Sequence, residues 1–300
     1  MEIILALAVI APVIFFGWLS RKTEILSSEH SRGLSHYIYY FALPALFLVK
    51  VASIDIPSLN PVIVTGSVVP VFGLIVLLLI LQLLKILPKD IFILLALSIV
   101  FGSNAFFGVA FFEALRGEPG LNFGIITSSI LGPIEIIGSI LLFEYATNKE
   151  KGARFLKKIF SNPLILSIAA GVVFSLTHFK IDFLFNALKM VGQTAAPVAI
   201  FTLGVFMFDN FSLRSVKRSF LYALFRLIAL PLAVFLVVAW LNPGDPSLKE
   251  MLLLQAGIPM AISLAVFAKR YNYKVTEISD MVILTSIGSF IVLTAMYFLI

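Results

Sequence analysis

The sequence predicts an all-α, polytopic membrane protein of ten transmembrane helices in two inverted five-helix repeats. Apolar residues make up 60% of the 300 residues and charged residues only 13%, whereas a soluble globular domain carries about 25% charged residues. The mean hydropathy is +1.07. Ten apolar segments, each near the roughly 20 residues that cross a bilayer, follow one another along the chain. The basic residues fall in alternate loops between these segments, as they do in multi-pass membrane proteins.

Hydropathy sets the boundaries of the ten predicted spans. They are 2–20, 34–53, 61–84, 91–115, 122–144, 158–177, 183–208, 216–241, 248–269 and 276–299. The N-terminus becomes apolar at once and has neither a basic n-region nor a small-residue cleavage site. We therefore interpret it as the first span and not as a removable signal peptide.

Lysine and arginine are concentrated in the loops that follow spans 1, 3, 5, 7 and 9. The richest of these loops holds Lys149, Lys151, Arg154, Lys157 and Lys158. The alternate loops hold acidic residues instead, namely Asp55, Glu118, Asp245 and Glu250. Because basic loops stay in the cytoplasm, the pattern predicts a protein of the cell (inner) membrane with both termini outside, periplasmic or extracellular. The net charge of +6 thus reflects topology and not nucleic-acid binding.

An odd number of spans in each half inverts the second half relative to the first. The basic linker 146–157 divides the chain into a first repeat, 1–145, and a second repeat, 158–300, within one integral membrane domain. Residues of the same type recur in order, at an offset of about 150–160 positions. These pairs are Pro44 with Pro197, Pro70 with Pro231, and Thr127-Ser128 with Thr285-Ser286.

Spans 4 and 9 are each interrupted near their centre by small and polar residues. In span 4 these are Gly102, Ser103 and Asn104, followed by Gly108. In span 9 they are Gln255, Gly257 and Pro259. A broken helix frees backbone N–H and C=O groups, which hydrocarbon tolerates only where they line a cavity or are buried in protein. Paired interruptions at matching positions of two halves indicate a transporter binding site.

Five of these interrupting residues, together with Gly108, form the candidate substrate-binding set of Ser103, Asn104, Gly108, Gln255, Gly257 and Pro259. The N-terminus of each half-helix presents unpaired N–H groups and a partial positive charge, which favour an anion. Asn104 can both donate and accept hydrogen bonds. The alternative is that Asn104 only satisfies freed backbone groups, and that Ser103 bonds to its own helix.

Glu135 lies well inside span 5, just after Pro133. Carboxylates at such depth are costly and mark ion or proton paths, so we assign Glu135, with Ser128, to coupling with H⁺ or Na⁺. The alternative is a structural glutamate that does not titrate during transport. Lys50 and Arg226 are close enough to span ends to extend towards water; a second interpretation makes Arg226 the partner of a carboxylate.

Five stretches, spread over nearly the whole chain, carry a family resemblance. They are LSHYIYYFALPALFL, SNAFFGVAFFEALRGEPG, NPLILSIAAGVV, VGQTAAPVAIFTLGVFM and LQAGIPMAISLAVFAKRYN. In these stretches the chain resembles the auxin efflux carrier family, which includes plant PIN transporters and bacterial permeases for small organic acids. The resemblance implies that broken helices 4 and 9 cross near the membrane centre, that a carboxylate binds at the crossing, and that one bundle rocks or slides against a scaffold. The family's span-9 proline corresponds to Pro259. In span 4 the family pattern is an asparagine followed by Gly-x-Pro; Asn104 and Gly108 are present, the asparagine is shifted by about one residue, and Val109-Ala110 stands where the proline is expected.

The function predicted from these features is secondary active transport of a small organic anion, such as a mono- or dicarboxylate, by alternating access. The alternatives are a cation/proton antiporter, a sodium-coupled bile-acid-type symporter, or a non-transporting membrane sensor. An enzyme is disfavoured because the spans hold only isolated acids, and no cofactor is expected. The chain has no cysteine and no GxxxxGK[ST] motif. The expected partners are the anion and membrane lipid, without nucleic acid, and the small residues of spans 6 and 7 suit either a scaffold or a homodimer face.

Overall fold

The computed structural model describes residues 2–53, 59–147, 161–178, 181–210 and 213–299. Within these ranges the chain is helical and forms no β-strand, apart from one isolated bridge between Gly102 and Met260. The predicted all-α class is therefore confirmed. The basic segment that was predicted to divide the repeats lies mostly outside these ranges, as does Asp55.

Thirteen α-helices lie in the described residues. In chain order they are α1 (Glu2–Lys22), α2 (Ser28–Tyr37), α3 (Leu43–Val51), α4 (Pro61–Leu83), α5 (Lys89–Val100), α6 (Val109–Thr147), α7 (Pro163–Thr177), α8 (Asp182–Gln193), α9 (Ala195–Asn210), α10 (Leu213–Leu241), α11 (Pro246–Gln255), α12 (Ile262–Tyr271) and α13 (Val275–Leu299). A π-helical turn, Ile38–Ala42, joins α2 to α3, and a second one, Asn104–Gly108, precedes α6.

Six helical stretches of the described residues are long and apolar enough to cross a membrane. They are Arg32–Val51, Pro61–Leu83, Asn104–Thr147, Asp182–Asn210, Ser219–Leu241 and Val275–Leu299. Large apolar side chains on α4, such as Phe72, Val76, Leu77 and Ile80, are exposed. A contiguous apolar surface of this kind is suited to lipid and not to water. The chain is a multi-pass membrane protein.

Local sequence explains where several helices begin. The side chain of Asn162 accepts a hydrogen bond from the Leu164 N–H at 2.9 Å, and Pro163 occupies the first position of α7. Asp245 accepts from the Ser247 N–H at 2.9 Å and precedes Pro246, the first residue of α11. Both helices begin with a side-chain N-cap followed by a proline. The N–H that proline lacks would have no intrahelical partner at this position, so no hydrogen bond is lost.

Spans 4 and 5 were predicted as separate segments, with a loop between residues 115 and 122. The range of α6 covers two helical segments that meet at a sharp kink inside this interval, at Gly117, where φ is 60° and ψ is −138°. Glycine adopts a positive φ without steric cost, and Pro119 follows within the next turn. One glycine therefore turns the chain where hydropathy suggested a longer loop.

The helices group into two compact units. Unit 1 comprises Met1–Asn60, Ala105–Pro133 and Gly152–Asp209, and unit 2 comprises Pro61–Asn104, Ile134–Lys151 and Asn210–Ile300. Each unit draws segments from both halves of the sequence. The division into repeats 1–145 and 158–300 concerns the order of the chain, and it stays a prediction.

In unit 1, α1 and α9 touch through their backbones at two glycines. A Cβ atom added to Gly17 would overlap the carbonyl oxygen of Phe201, and one added to Gly204 would overlap that of Ile14. At the ends of the same helices, Arg21 Nε donates to Asp209 Oδ1 at 2.7 Å. Small residues allow this close approach, on which helix association in lipid depends.

In unit 2, the turn between α12 and α13 is attached to the first turn of α5. The Tyr273 hydroxyl donates to Asp90 Oδ1 at 3.0 Å, and Lys274 Nζ lies 3.5 Å from Asp90 Oδ2. Partial burial and the hydrogen bond to Asp90 raise the pKa of Tyr273 above its ordinary value. The phenol therefore remains a donor at neutral pH, and this end of α5 is fixed to the second broken segment.

The backbone contact between α1 and α9 gives a first prediction. Gly17→Ala and Gly204→Ala should each lower the free energy of unfolding by about 1–3 kcal/mol or more, because the added methyl group overpacks the contact. The measurement is the thermal unfolding of detergent-purified protein. The matched control is Gly73→Ala in α4, where an added Cβ meets no atom and alanine favours the helix by up to about 1 kcal/mol. Wild-type stability in both of the first two variants would contradict the contact.

Candidate functional site

The two predicted interruptions are breaks in the helical backbone of unit 2. Helix α5 ends at Val100, and residues 101–103 are not helical before the turn Asn104–Gly108. Helix α11 ends at Gln255, and residues 256–261 are not helical before α12 begins at Ile262. The glycine, proline and polar residues that predicted the breaks thus lie within them or beside them.

The two breaks pair with each other through one isolated antiparallel bridge. The Ser103 N–H donates to the Pro259 carbonyl at 2.8 Å, and the Ala261 N–H donates to the Phe101 carbonyl at 3.4 Å. Gly102 and Met260 are opposite one another in this bridge. We call residues 101–103 and 258–261 the crossing. Its hydrogen bonds satisfy backbone groups that unwinding would otherwise leave unpaired in an apolar environment.

A hydroxyl group of α13 supports the second break. Thr285 Oγ1 accepts from the Met260 N–H at 3.1 Å and donates to the Met281 carbonyl at 2.8 Å. Thr285 drew attention in the sequence only as part of a repeated Thr-Ser pair. A threonine deep inside an apolar span was the signal for this role, because such a side chain bonds either to its own helix or to a neighbour.

Three polar side chains converge on Gly102. Asn104 Nδ2 donates to Glu135 Oε1 at 2.5 Å, and each of these two residues is 7% exposed. A Cβ atom added to Gly102 would lie 2.7 Å from Asn104 Nδ2, 3.0 Å from Arg226 Nη2 and 3.4 Å from Glu135 Oε1. We call Gly102, Asn104, Glu135 and Arg226 the Gly102 cluster. Glycine is required at its centre because the polar groups occupy the space of a side chain.

The prediction that Arg226 extends to water at a span end was wrong. Arg226 is 2% exposed and lies in the middle of α10. Its Nη1 donates to the Ser98 carbonyl and, at 3.3 Å, to the Ile99 carbonyl, while Nη2 donates to the Ile258 carbonyl at 2.9 Å. These carbonyls replace water as the partners of the guanidinium group. Lys50 is half-buried in the last turn of α3, and its interpretation is unchanged.

Gln255 ends α11 beside the second break and is 7% exposed. Its Oε1 accepts from Ser67 Oγ at 3.0 Å. Its Nε2 is buried and has no hydrogen-bond partner among the described residues. A buried donor left unpaired costs about 1–3 kcal/mol, so this amide nitrogen is suited to an acceptor supplied by a ligand. Ser67, a polar residue inside span 3, was not recognised from the sequence.

The remaining candidates have varied surroundings. Gly257 is packed against Leu293, whose Cδ2 would lie 2.7 Å from an added Cβ. Gly108 ends the π-helical turn before α6, in unit 1. Ser128 also belongs to unit 1, and its hydroxyl donates to the Ile125 carbonyl of its own helix at 3.1 Å. The structure therefore brings together Ser103, Asn104, Pro259 and Glu135 at the crossing, and it gives Gly108 and Ser128 other neighbours.

Among the described residues there is no group of three or more histidine, aspartate or glutamate side chains that could hold a metal ion. The polar groups at the crossing are instead amides, the hydroxyl groups of Ser103 and Thr285, one carboxyl group, one guanidinium group and backbone atoms. Amide N–H groups are suited to an acceptor such as a carboxylate.

Comparison with known proteins places the chain among membrane transporters. Residues 2–297 match the model of a family described as "Membrane transport protein". "Uncharacterized transporter MJ1031" of Methanocaldococcus jannaschii is 22% identical over 98% of this chain and 96% of its own length. "Putative malonate transporter" of Rhizobium meliloti is 24% identical over 96% of this chain and 92% of its own length.

A mouse protein, "Lysosomal cholesterol signaling protein", is 26% identical over 92% of this chain. The match covers 35% of that protein, so the chain spans about a third of the length of this relative.

The packing around Gly102 gives a second prediction. Gly102→Ala should lower the free energy of unfolding by about 1–3 kcal/mol, because the methyl group displaces the Asn104 amide from Glu135. The matched control is Gly132→Ala, a buried glycine whose added Cβ would meet no atom closer than 3.8 Å. Thermal unfolding of the two purified variants checks the difference. Equal stability of Gly102→Ala and wild type would show that the cluster is not packed against this residue.

Proposed function

The chain belongs to the Membrane transport protein family, in which its resemblance to auxin efflux carriers is confirmed, and we propose that it is a secondary active transporter of a small organic anion. It is a transporter and not an enzyme. The proposed substrate is a mono- or dicarboxylate, bound at the crossing and moved by alternating access. We propose that the protein is surrounded by membrane lipid and that two copies of the chain form a homodimer.

The observation that carries the proposal is the buried, unpartnered amide nitrogen of Gln255 at the second break. Asn104 lies at the first break, where the helix resumes and its amide lies against Glu135. An ionised carboxylate only accepts hydrogen bonds, and an amide NH₂ group only donates them. Two amides and the helix N-terminus that begins at Asn104 can therefore bind an anion without a dedicated cation.

The carboxylate class has separate support from the relatives. One of them carries the name "Putative malonate transporter" and aligns with 96% of this chain. A dicarboxylate can accept from two donors at once, one at each break. Malonate is therefore the probe that we choose for binding experiments, as a representative of the class.

The proposed architecture is ten spans in two inverted repeats, with both termini outside the cell membrane. Each half has the same order of helical segments: a single helix, an interrupted one, a single one, a broken one and a single one, where the last segment of the first half is the part of α6 after the kink at Gly117. The interrupted helices correspond to α2–α3 and α8–α9, and the broken helices contain residues 101–103 and 256–261. Two halves of the same helical order are the pattern that inverted repeats produce.

For coupling we propose Glu135, which is buried beside Asn104 at the crossing. A carboxyl group in direct contact with a candidate ligand donor can link proton or cation binding to substrate binding. Ser128, two turns earlier in α6, stays a predicted coupling residue. H⁺ and Na⁺ are the two candidates for the coupling ion.

Asn104→Ala should weaken malonate binding by roughly 10–100-fold, which corresponds to the loss of a hydrogen bond to a charged group. Isothermal titration of the purified, folded protein with malonate measures this change. The matched control is Asn162→Ala, which removes a buried asparagine that caps α7 in unit 1. This control should lower thermal stability without changing affinity.

Unchanged affinity in the folded Asn104→Ala variant would remove Asn104 from the site. Absence of binding by wild type to any small mono- or dicarboxylate would refute the organic-anion proposal as a whole, and would favour the sensor or cation-antiporter alternatives.

Glu135→Gln should abolish gradient-driven accumulation of malonate in proteoliposomes but preserve exchange across the membrane. Glutamine keeps the oxygen that accepts from Asn104 and loses the titratable group. Glu144→Gln, which changes a second buried acid of α6, is the matched control and should accumulate normally. Normal accumulation by Glu135→Gln would exclude this carboxyl group from coupling.

A further inference from the structure

The guanidinium group of Arg226 donates hydrogen bonds to three backbone carbonyls at and beside the crossing. Ser98 and Ile99 lie in the last turn of α5, where carbonyls lack intrahelical partners, and Ile258 lies within the second break. In transporters with broken helices, unwound carbonyls and the C-terminal ends of half-helices coordinate the coupling cation. Here the carbonyl oxygens of this kind accept hydrogen bonds from a side chain of the protein itself, that of Arg226.

We infer that Arg226 is a fixed cation in the place of a coupling metal ion, so that anion binding at the crossing requires no Na⁺. This inference rests on the proposed function and deepens it, since it decides between the two candidate coupling ions. Arg226 is a positioning residue in this account. It fixes the end of α5 against the second break and leaves H⁺ as the ion that Glu135 binds.

The charge at this position supports the inference. The C-terminal end of a helix carries a partial negative charge, and α5 presents two of its terminal carbonyls to Nη1. Arginine keeps its positive charge in proteins. A tethered cation also loses no translational freedom on binding, whereas a metal ion in solution does. To bind these carbonyls, Na⁺ would have to displace the guanidinium group of Arg226, which is always charged and is covalently part of the chain.

Most donors of Arg226 are already used at the backbone. Three of its five N–H groups donate to the carbonyls of Ser98, Ile99 and Ile258. Its Nε is buried and has no partner among the described residues, so this N–H and the second N–H of Nη2 remain. In this account the guanidinium group holds the backbone, and the amides of Asn104 and Gln255 are the donors proposed for a carboxylate.

The first test uses wild-type protein without any carboxylate. Its thermal unfolding is compared in sodium chloride and in equimolar choline chloride, and malonate titrations are then run in the same two salts. We expect the same melting temperature and the same malonate Kd in both salts. A melting temperature or a Kd that depends on Na⁺ would overturn the inference.

The second test removes the cation with Arg226→Met, which keeps a long apolar side chain. In choline chloride its melting temperature should fall by on the order of 10 °C, because buried carbonyls lose a charged partner. Sodium should restore part of the loss by entering the vacated oxygen set. Lys217→Met, which removes an exposed charge from the same helix, should show neither effect.

A folded Arg226→Met variant that sodium does not stabilise would also overturn the inference, because the carbonyls would then not form a cation site. If this variant fails to fold, the wild-type comparison of salts decides alone. Failure of malonate to bind would refute the proposed function and would leave the salt comparison of the ligand-free protein in force. The two failures are thus separate.

Discussion

The constraint on which this structure depends is the absence of water around a broken helix in hydrocarbon. Two helices are unwound in unit 2, and every freed N–H or C=O group needs a partner inside the protein. The crossing meets this need by pairing the two breaks with each other, through Ser103, Pro259, Phe101 and Ala261. Thr285 on α13 and Arg226 on α10 are the partners of two further backbone groups, the Met260 N–H and the Ile258 carbonyl. The broken segments are therefore stabilised by side chains of neighbouring helices.

The two sides of the crossing differ in electrostatic character. The guanidinium group lies on carbonyls at the end of α5, where helix geometry places negative partial charge. Asn104 lies at the opposite kind of position, where the helical turn before α6 begins. Gln255 instead ends α11, and its amide nitrogen is the unpaired donor there.

Hydropathy and residue type were sufficient to predict the helical class and both breaks, because these features depend on local composition. They failed where a partner is distant in the sequence. Arg226 was assigned to a span end because its carbonyl partners lie up to 128 positions away, and no local pattern encodes them. The Asn104–Glu135 contact joins two residues that were predicted separately for different roles. Hydropathy placed the turn between spans 4 and 5 within residues 115–122, and the structure narrows it to a kink at Gly117.

The glycine contact between α1 and α9 has a consequence for the energetics of unit 1. Since backbone meets backbone at Gly17 and Gly204, no side chain is immobilised at these two positions, and no rotamer entropy is lost there. The Cα–H groups of both glycines face carbonyl oxygens, an arrangement that forms weak reciprocal hydrogen bonds between helices. The entropic cost of joining α1 to α9 is therefore confined to the end of the contact, where Arg21 and Asp209 hold each other through their side chains.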